Sequence, residues 1–125
     1  MFPQWPGVKP YVDEIDQQIM FAEKSWGSYR VLDVEEGSMI IKVTLNPGNK
    51  MNYHSHAKRD EIWTVIEGTG KAIVDGVEQI VGVGDVIRMQ AGQKHTVIAG
   101  DHVLQLIETQ IGEEITVSDK HKYTL

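Results

Sequence analysis

From Ser28 onward the chain is a succession of short runs rich in Val, Ile, Thr and Leu, closed by Gly, Asn or Asp. Turn signals recurring about every ten residues specify an all-β domain. The runs are residues 28–34, 38–46, 53–57, 61–67, 70–74, 77–81, 85–90, 95–99 and 103–109. Met39, Ile41, Val43 and Leu45 alternate with Ser38, Ile40, Lys42 and Thr44, which buries one face of that strand. Asp75-Gly76, between Val74 and Val77, predicts a two-residue hairpin turn with positive φ at its centre. So many short antiparallel strands leave edges to protect, and the usual solution is closure into a barrel or a two-sheet jelly roll.

At 125 residues the chain is the size of one domain, and its 41% hydrophobic content is ample for a single core. That core is expected to occupy 25–118. Before it, Pro3, Pro6 and Pro10 give an irregular start, and Val12, Ile15, Ile19 and Ala22 then recur at helical spacing. Residues 1–24 thus read as a docked arm or short amphipathic helix, and 119–125 as a polar tail. Phe2, Trp5 and Phe21 add apolar surface to that arm, so it is expected to pack on the outside of a barrel within a homodimer. No signal-like or membrane-spanning segment is visible, which makes the cytoplasm the default location. The net charge of -6 argues against nucleic-acid and anionic-membrane partners. Zero Cys excludes disulfides, thiolate nucleophiles and iron–sulfur clusters, so any metal must use N and O ligands.

Such ligands converge in two segments. In the first, His54 and His56 lie two apart in a strand and face one cavity, while Glu61 opens the next strand after the polar turn 57–60. In the second, a strand beginning near Gly84 ends in a turn that offers His95. Three imidazoles and one carboxylate suit divalent Zn, Mn, Fe, Ni or Co and leave coordination positions open for water or substrate. Trp63 shares strand parity with Glu61, so it is expected to point inward, where it can line the pocket. Arg59 and Lys94 flank Glu61 and His95 as candidate phosphate ligands. Lys50 and Arg88 stand in reserve; Tyr53 has packing parity, and His102 and His121 fall in polar, solvent-facing stretches.

The first segment, Gly48 through His54, His56 and Glu61 to Gly68, resembles the first motif of the cupin superfamily, G-x5-H-x-H-x4-E-x6-G, at every position. Gly84, Gly92 and His95 match its second motif, with Gln90 in place of a proline and Ala99 in place of an asparagine. A closer resemblance, over about residues 24 to 118, is to the cupin domain of type II mannose-6-phosphate isomerases. It is carried by Lys24-Ser25-Trp26-Gly27-Ser28-Tyr29-Arg30-Val31-Leu32, by Ala91-Gly92-Gln93-Lys94-His95 and by Leu106-Ile107-Glu108-Thr109-Gln110-Ile111-Gly112-Glu113. Thr96 stands where that family has an arginine. The resemblance implies a double-stranded β-helix barrel whose metal ligands are His54, His56, Glu61 and His95. It further implies an aldose–ketose isomerase acting on a phosphorylated sugar, with Glu61 and Lys94 catalytic and Arg59, Trp63 and Lys94 binding substrate. Two other functions suit the same residues: an iron-dependent dioxygenase, and a non-catalytic module that binds a small carbohydrate.

Overall fold

Each of the nine expected runs is a strand in the computed structural model, which describes residues 20–125. With two further strands the order is β1 (Phe21–Lys24), β2 (Gly27–Glu35), β3 (Ser38–Leu45), β4 (Tyr53–Ser55), β5 (Asp60–Glu67), β6 (Gly70–Val74), β7 (Val77–Val81), β8 (Val86–Met89), β9 (His95–Ala99), β10 (Leu104–Ile111) and β11 (His121–Tyr123). Every pairing is antiparallel, and no helix occurs among the described residues. The described residues thus include no helix long and apolar enough to cross a membrane. The strands form a six-stranded sheet, β1-β2-β3-β10-β5-β8, and a five-stranded sheet, β11-β4-β9-β6-β7.

The alternation read from the sequence decides what lies between the sheets. Ile41, Val43 and Leu45 of β3, Trp63 and Val65 of β5, and Leu104 and Leu106 of β10 are buried in one core with Val97 and Ala99 of β9. The Asp75-Gly76 turn has φ of 48° and 79°, and Val74 pairs with Val77 across it, as a primed two-residue hairpin requires.

Both added strands correct the expected termini. Helical spacing was read through Ala22, yet Phe21–Lys24 is extended and pairs from Phe21↔Arg30 to Lys24↔Gly27. The open edge of β2 offers these residues a complete ladder, which outweighs a weak helical period. The rest of the expected helix and arm lies outside the described residues. In the tail, His121–Tyr123 pairs with Ser55–Tyr53, and the Tyr123 ring packs edge-on against Tyr53 at 6.4 Å.

Two features set the register along β5 and β10. Glu61 pairs with Gln110, Trp63 with Glu108 and Val65 with Leu106, but Glu67 pairs with Gln105, so Ile66 is an extra residue, a β-bulge. Just beyond it Gly68, at φ 82°, passes so close to the next strand that a Cβ there would lie 2.2 Å from the Val103 carbonyl oxygen. Gly68→Ala is expected to cost at least about 2 kcal/mol through positive φ and backbone clash together, read as a lower denaturant midpoint at unchanged slope.

Candidate metal centre

Four polar side chains meet inside this apolar barrel. β4 supplies His54, the residue after its end supplies His56, and β9 supplies His95, all from the five-stranded sheet; Glu61 reaches them from β5 across the interior. His54 and His95 are directly paired, with ring centroids 4.5 Å apart, and the His54 and His56 rings lie 4.8 Å apart. All four residues are buried, and one ligand atom from each lies within 4.8 Å of all the others.

The hydrogen bonds fix which nitrogen each ring turns inward. Nδ1 of His54 meets the Asn52 carbonyl, Nδ1 of His56 the Asp119 carbonyl at 2.6 Å, and Nδ1 of His95 the Gln93 carbonyl at 3.0 Å. A carbonyl only accepts, so each Nδ1 carries the proton, and a neutral ring turns a bare Nε2 to the centre. Burial first, reinforced by neighbouring charge, lowers the His54 pKa to about 3, with His95 the largest such neighbour. Burial likewise lowers His56 to about 4, against the opposing pull of Glu61. For Glu61, burial opposes ionisation, but the contact with His95 and the charge of Arg59 outweigh it and bring the carboxyl down to about 2. Glu61 Oε1 lies 3.1 Å from His95 Nε2, and Oε2 lies 3.1 Å from His56 Nε2. Three imidazole nitrogens and a carboxylate gathered this closely are the donor set of a divalent cation, so these residues fit the metal that their spacing implied.

Arg59 is the other member of the cluster. Its Nε donates to Glu61 Oε2 at 2.9 Å, Nη2 to His56 Nε2 at 3.2 Å and Nη1 to the Thr116 carbonyl at 3.3 Å. The guanidinium therefore partly neutralises the carboxylate from the cavity side.

Asp119, the first residue of the polar tail, shapes the centre too. Its carboxylate accepts from the Ala57 and Lys58 amides, both at 2.9 Å, and its carbonyl holds His56. The turn after His56 is thus capped from 62 residues away along the chain. Nothing local in the sequence signals this pairing.

A cavity of about 230 Å³ opens beside the centre, lined by His54, His56 and Arg59, by Glu108 and Gln110 of β10, and by an apolar wall that includes Trp26, Tyr29, Met39 and Ile41. Lys24 and Lys120 line it as well, and both are exposed, which places them at its mouth. Desolvation first, then the charges of Lys122 and Lys24, lowers the Lys120 ammonium. Two residues named from the sequence lie elsewhere. Lys94 is exposed, stands 4.3 Å over the Tyr123 ring and is not among the cavity-lining residues. Its neighbour His95 turns inward, and strand alternation sends Lys94 the other way. Trp63 does point inward, but it is completely buried, donates from Nε1 to Glu108 Oε1 at 2.7 Å, and packs against His95 instead of lining the cavity. Of the reserves, Arg88 pairs with Asp60 at 3.1 Å, and Lys50 forms a bridge with Ile98. Tyr53 is buried, its hydroxyl accepting from the Gly76 amide at 3.0 Å, and His102 and His121 are exposed.

The sequence profile of the mannose-6-phosphate isomerase C-terminal family matches residues 13–123. The chain belongs to that family. Among curated relatives, mannose-1-phosphate guanylyltransferase of Escherichia coli (strain K12) is 29% identical over 97 residues, 77% of this chain and 20% of that protein. The alginate biosynthesis protein AlgA of Pseudomonas putida is 24% identical over 125 residues, 94% of this chain and 26% of that one. The chain thus spans about a fifth of the length of the curated relatives it matches first. Solved structures with the same fold include KdgF from Halomonas sp., at a TM-score of 0.71 and 15% identity over 79% of this chain and 91% of that one. An RmlC-like cupin from Shewanella frigidimarina matches at 0.67 and 21% identity, over 77% and 86%. The mannose-6-phosphate isomerase C-terminal domain is here a cupin barrel with a His/Glu cluster suited to a metal.

Two outcomes follow from this geometry. Asp119→Ala should weaken zinc or manganese binding about 10- to 100-fold, measured by chelator competition, because the turn after His56 loses the carboxylate that caps its Ala57 and Lys58 amides and holds the Asp119 carbonyl behind His56. In metal-free protein, His54 and His56 take up protons below pH 6.5 when unfolded but only near pH 3 to 4 when folded. The unfolded state therefore binds more protons across this window. Stability should rise with pH from 4 to 6.5, by up to about 1.4 kcal/mol per pH unit for each ring, and level off above; denaturant titrations at stepped pH check it.

Proposed function

We propose that this domain is a metal-dependent aldose–ketose isomerase acting on a phosphorylated sugar of the mannose 6-phosphate type. The observation that carries the reading is a single cavity lined by His54 and His56 of the four-residue cluster and by the cations Arg59, Lys24 and Lys120. Membership of the mannose-6-phosphate isomerase C-terminal family supports it. A divalent ion held by the four ligands would supply Lewis-acid polarisation of a carbonyl and its neighbouring hydroxyl.

The chain's own residues divide the remaining work. His54 and His56 stay neutral at physiological pH, so their Nε2 atoms carry no proton that a metal would have to displace. Glu61, held ionised and clamped by Arg59, serves as a ligand; its low pKa makes it a weak base. Glu108 is the carboxyl that lines the cavity, and burial first, then the charge of Glu61, pushes its pKa up. That shift fits it to exchange a proton with a bound sugar. Lys24 and Lys120 meet the phosphate, whose charge of nearly two requires cations in a chain of net charge -6.

One observation favours a second reading, a carbohydrate-binding module without turnover. Arg59 engages the same Glu61 and His56 atoms that a metal would use. Metal analysis of protein purified without added metal, followed by assay of mannose 6-phosphate to fructose 6-phosphate conversion, separates the two. Metal-dependent turnover supports the isomerase; tight sugar-phosphate binding without turnover supports the module. In the isomerase, Lys120→Ala together with Lys24→Ala should raise KM for mannose 6-phosphate roughly tenfold, about 1.4 kcal/mol, at unchanged metal content.

A further inference from the structure

One buried polar side-chain atom among the described residues has no hydrogen-bond partner, Oε1 of Gln110. Gln110 is 4% exposed and lines the cavity. Its orientation is not free. Its Nε2 donates to Glu108 Oε2 at 2.7 Å, and Glu108 Oε1 already accepts from the Trp63 indole N–H at 2.7 Å. With the amide nitrogen donating to Glu108, Oε1 is turned the other way and is left without a donor. An acceptor buried in this way costs free energy comparable to a lost hydrogen bond unless something supplies a proton to it.

The strand register says where that something would sit. Gln110 is paired directly with Glu61, and Glu108 with Trp63, on the inner face of the six-stranded sheet. Directly opposed side chains have Cβ atoms about 4.5–5.5 Å apart, so the vacant acceptor stands one strand away from a metal ligand. On the far side of β10, Gln110 pairs with Met39 and Glu108 with Ile41, which are apolar. The polar patch is therefore narrow: one acceptor, fixed in direction, beside the metal centre and bounded by a wall suited to the carbon face of a ring.

We propose that Gln110, oriented by Glu108 and through it by Trp63, forms a hydroxyl-reading subsite that accepts a hydrogen bond from a polyhydroxylated ligand seated at the metal centre. The ligand class is a sugar or sugar-like polyol, and naming the sugar's hydroxyls as the recognised groups rests on the function proposed above. Gln110 is the contact residue; Glu108 positions it.

Calorimetry on the metal-loaded full chain tests this with two probes that share a phosphate and six carbons, mannose 6-phosphate and hexyl phosphate. Wild-type protein should bind the hydroxylated probe at least tenfold more tightly. Gln110→Met should bring that ratio close to one while metal content and hexyl phosphate affinity stay within about twofold. Glu108→Gln should also reduce the ratio, because an amide in place of the carboxylate lets Gln110 turn its oxygen inward. This variant keeps the test open should Gln110→Met fail to fold. Equal wild-type affinity for the two probes, no binding of the hydroxylated one, or a ratio untouched by both substitutions would overturn the subsite. Hydroxyl preference that Gln110→Met abolishes, in a protein without isomerase turnover, would keep the subsite and discard the isomerase. Turnover with a preference indifferent to both variants would do the reverse.

Discussion

Glu61 carries an ionised carboxylate into an interior otherwise made of Val, Ile, Leu, Met and Trp side chains, and most of the inner polar groups are arranged by how that charge is met. An isolated buried carboxylate would take up a proton instead. Arg59 answers it on one side, and three imidazoles face it on the other with their protons turned away. Each imidazole then needs a carbonyl behind it, which recruits Asn52, Gln93 and Asp119. The cavity is the space this arrangement leaves on the Arg59 side of the barrel.

Much of this was legible in the sequence because it is written at short range. Period-two alternation, the Asp75-Gly76 turn and the spacing of His54, His56, Glu61 and His95 are all local patterns, and each reports a geometric fact about pleated strands. The cluster could be anticipated because β4 and β9 are neighbours and β5 faces them across a narrow barrel. Glu108 and Gln110 were visible only as letters in a family-like closing segment. Their importance depends on pairing with Trp63 and Glu61, some 45 to 49 positions away, and no local pattern encodes that register. Asp119 was hidden for the same reason. Lys94 adjoins His95 in sequence but not in space, because strand alternation sends neighbours to opposite faces.

The cavity sits between two kinds of surface. Its inner end is a rigid lattice of ring–carbonyl and strand–strand hydrogen bonds, whereas its mouth is set by long, solvated lysines on β1 and just before β11. In the proposed isomerase, the chemistry would accordingly sit where hydrogen bonds fix the side chains, and recognition of the phosphate would be left to side chains that can adjust.

The bulge at Ile66 reconciles two fittings that could not otherwise share one strand. At one end of β5 the phase is locked by Glu61 opposite Gln110; at the other, Gly68 is pressed against Val103 with no space for a side chain. Between the pairs Glu61↔Gln110 and Glu67↔Gln105, β5 takes one step more than β10. A regular ladder would have to absorb that surplus at one end, either opening the barrel at Gly68 or rotating Glu108 and Gln110 to the outside and bringing Ile107, Thr109 and Ile111 in. The bulge works like an expansion joint: it takes up the mismatch at a half-exposed isoleucine, so a change in loop length beyond Gly68 need not be transmitted to Glu61, five residues before it.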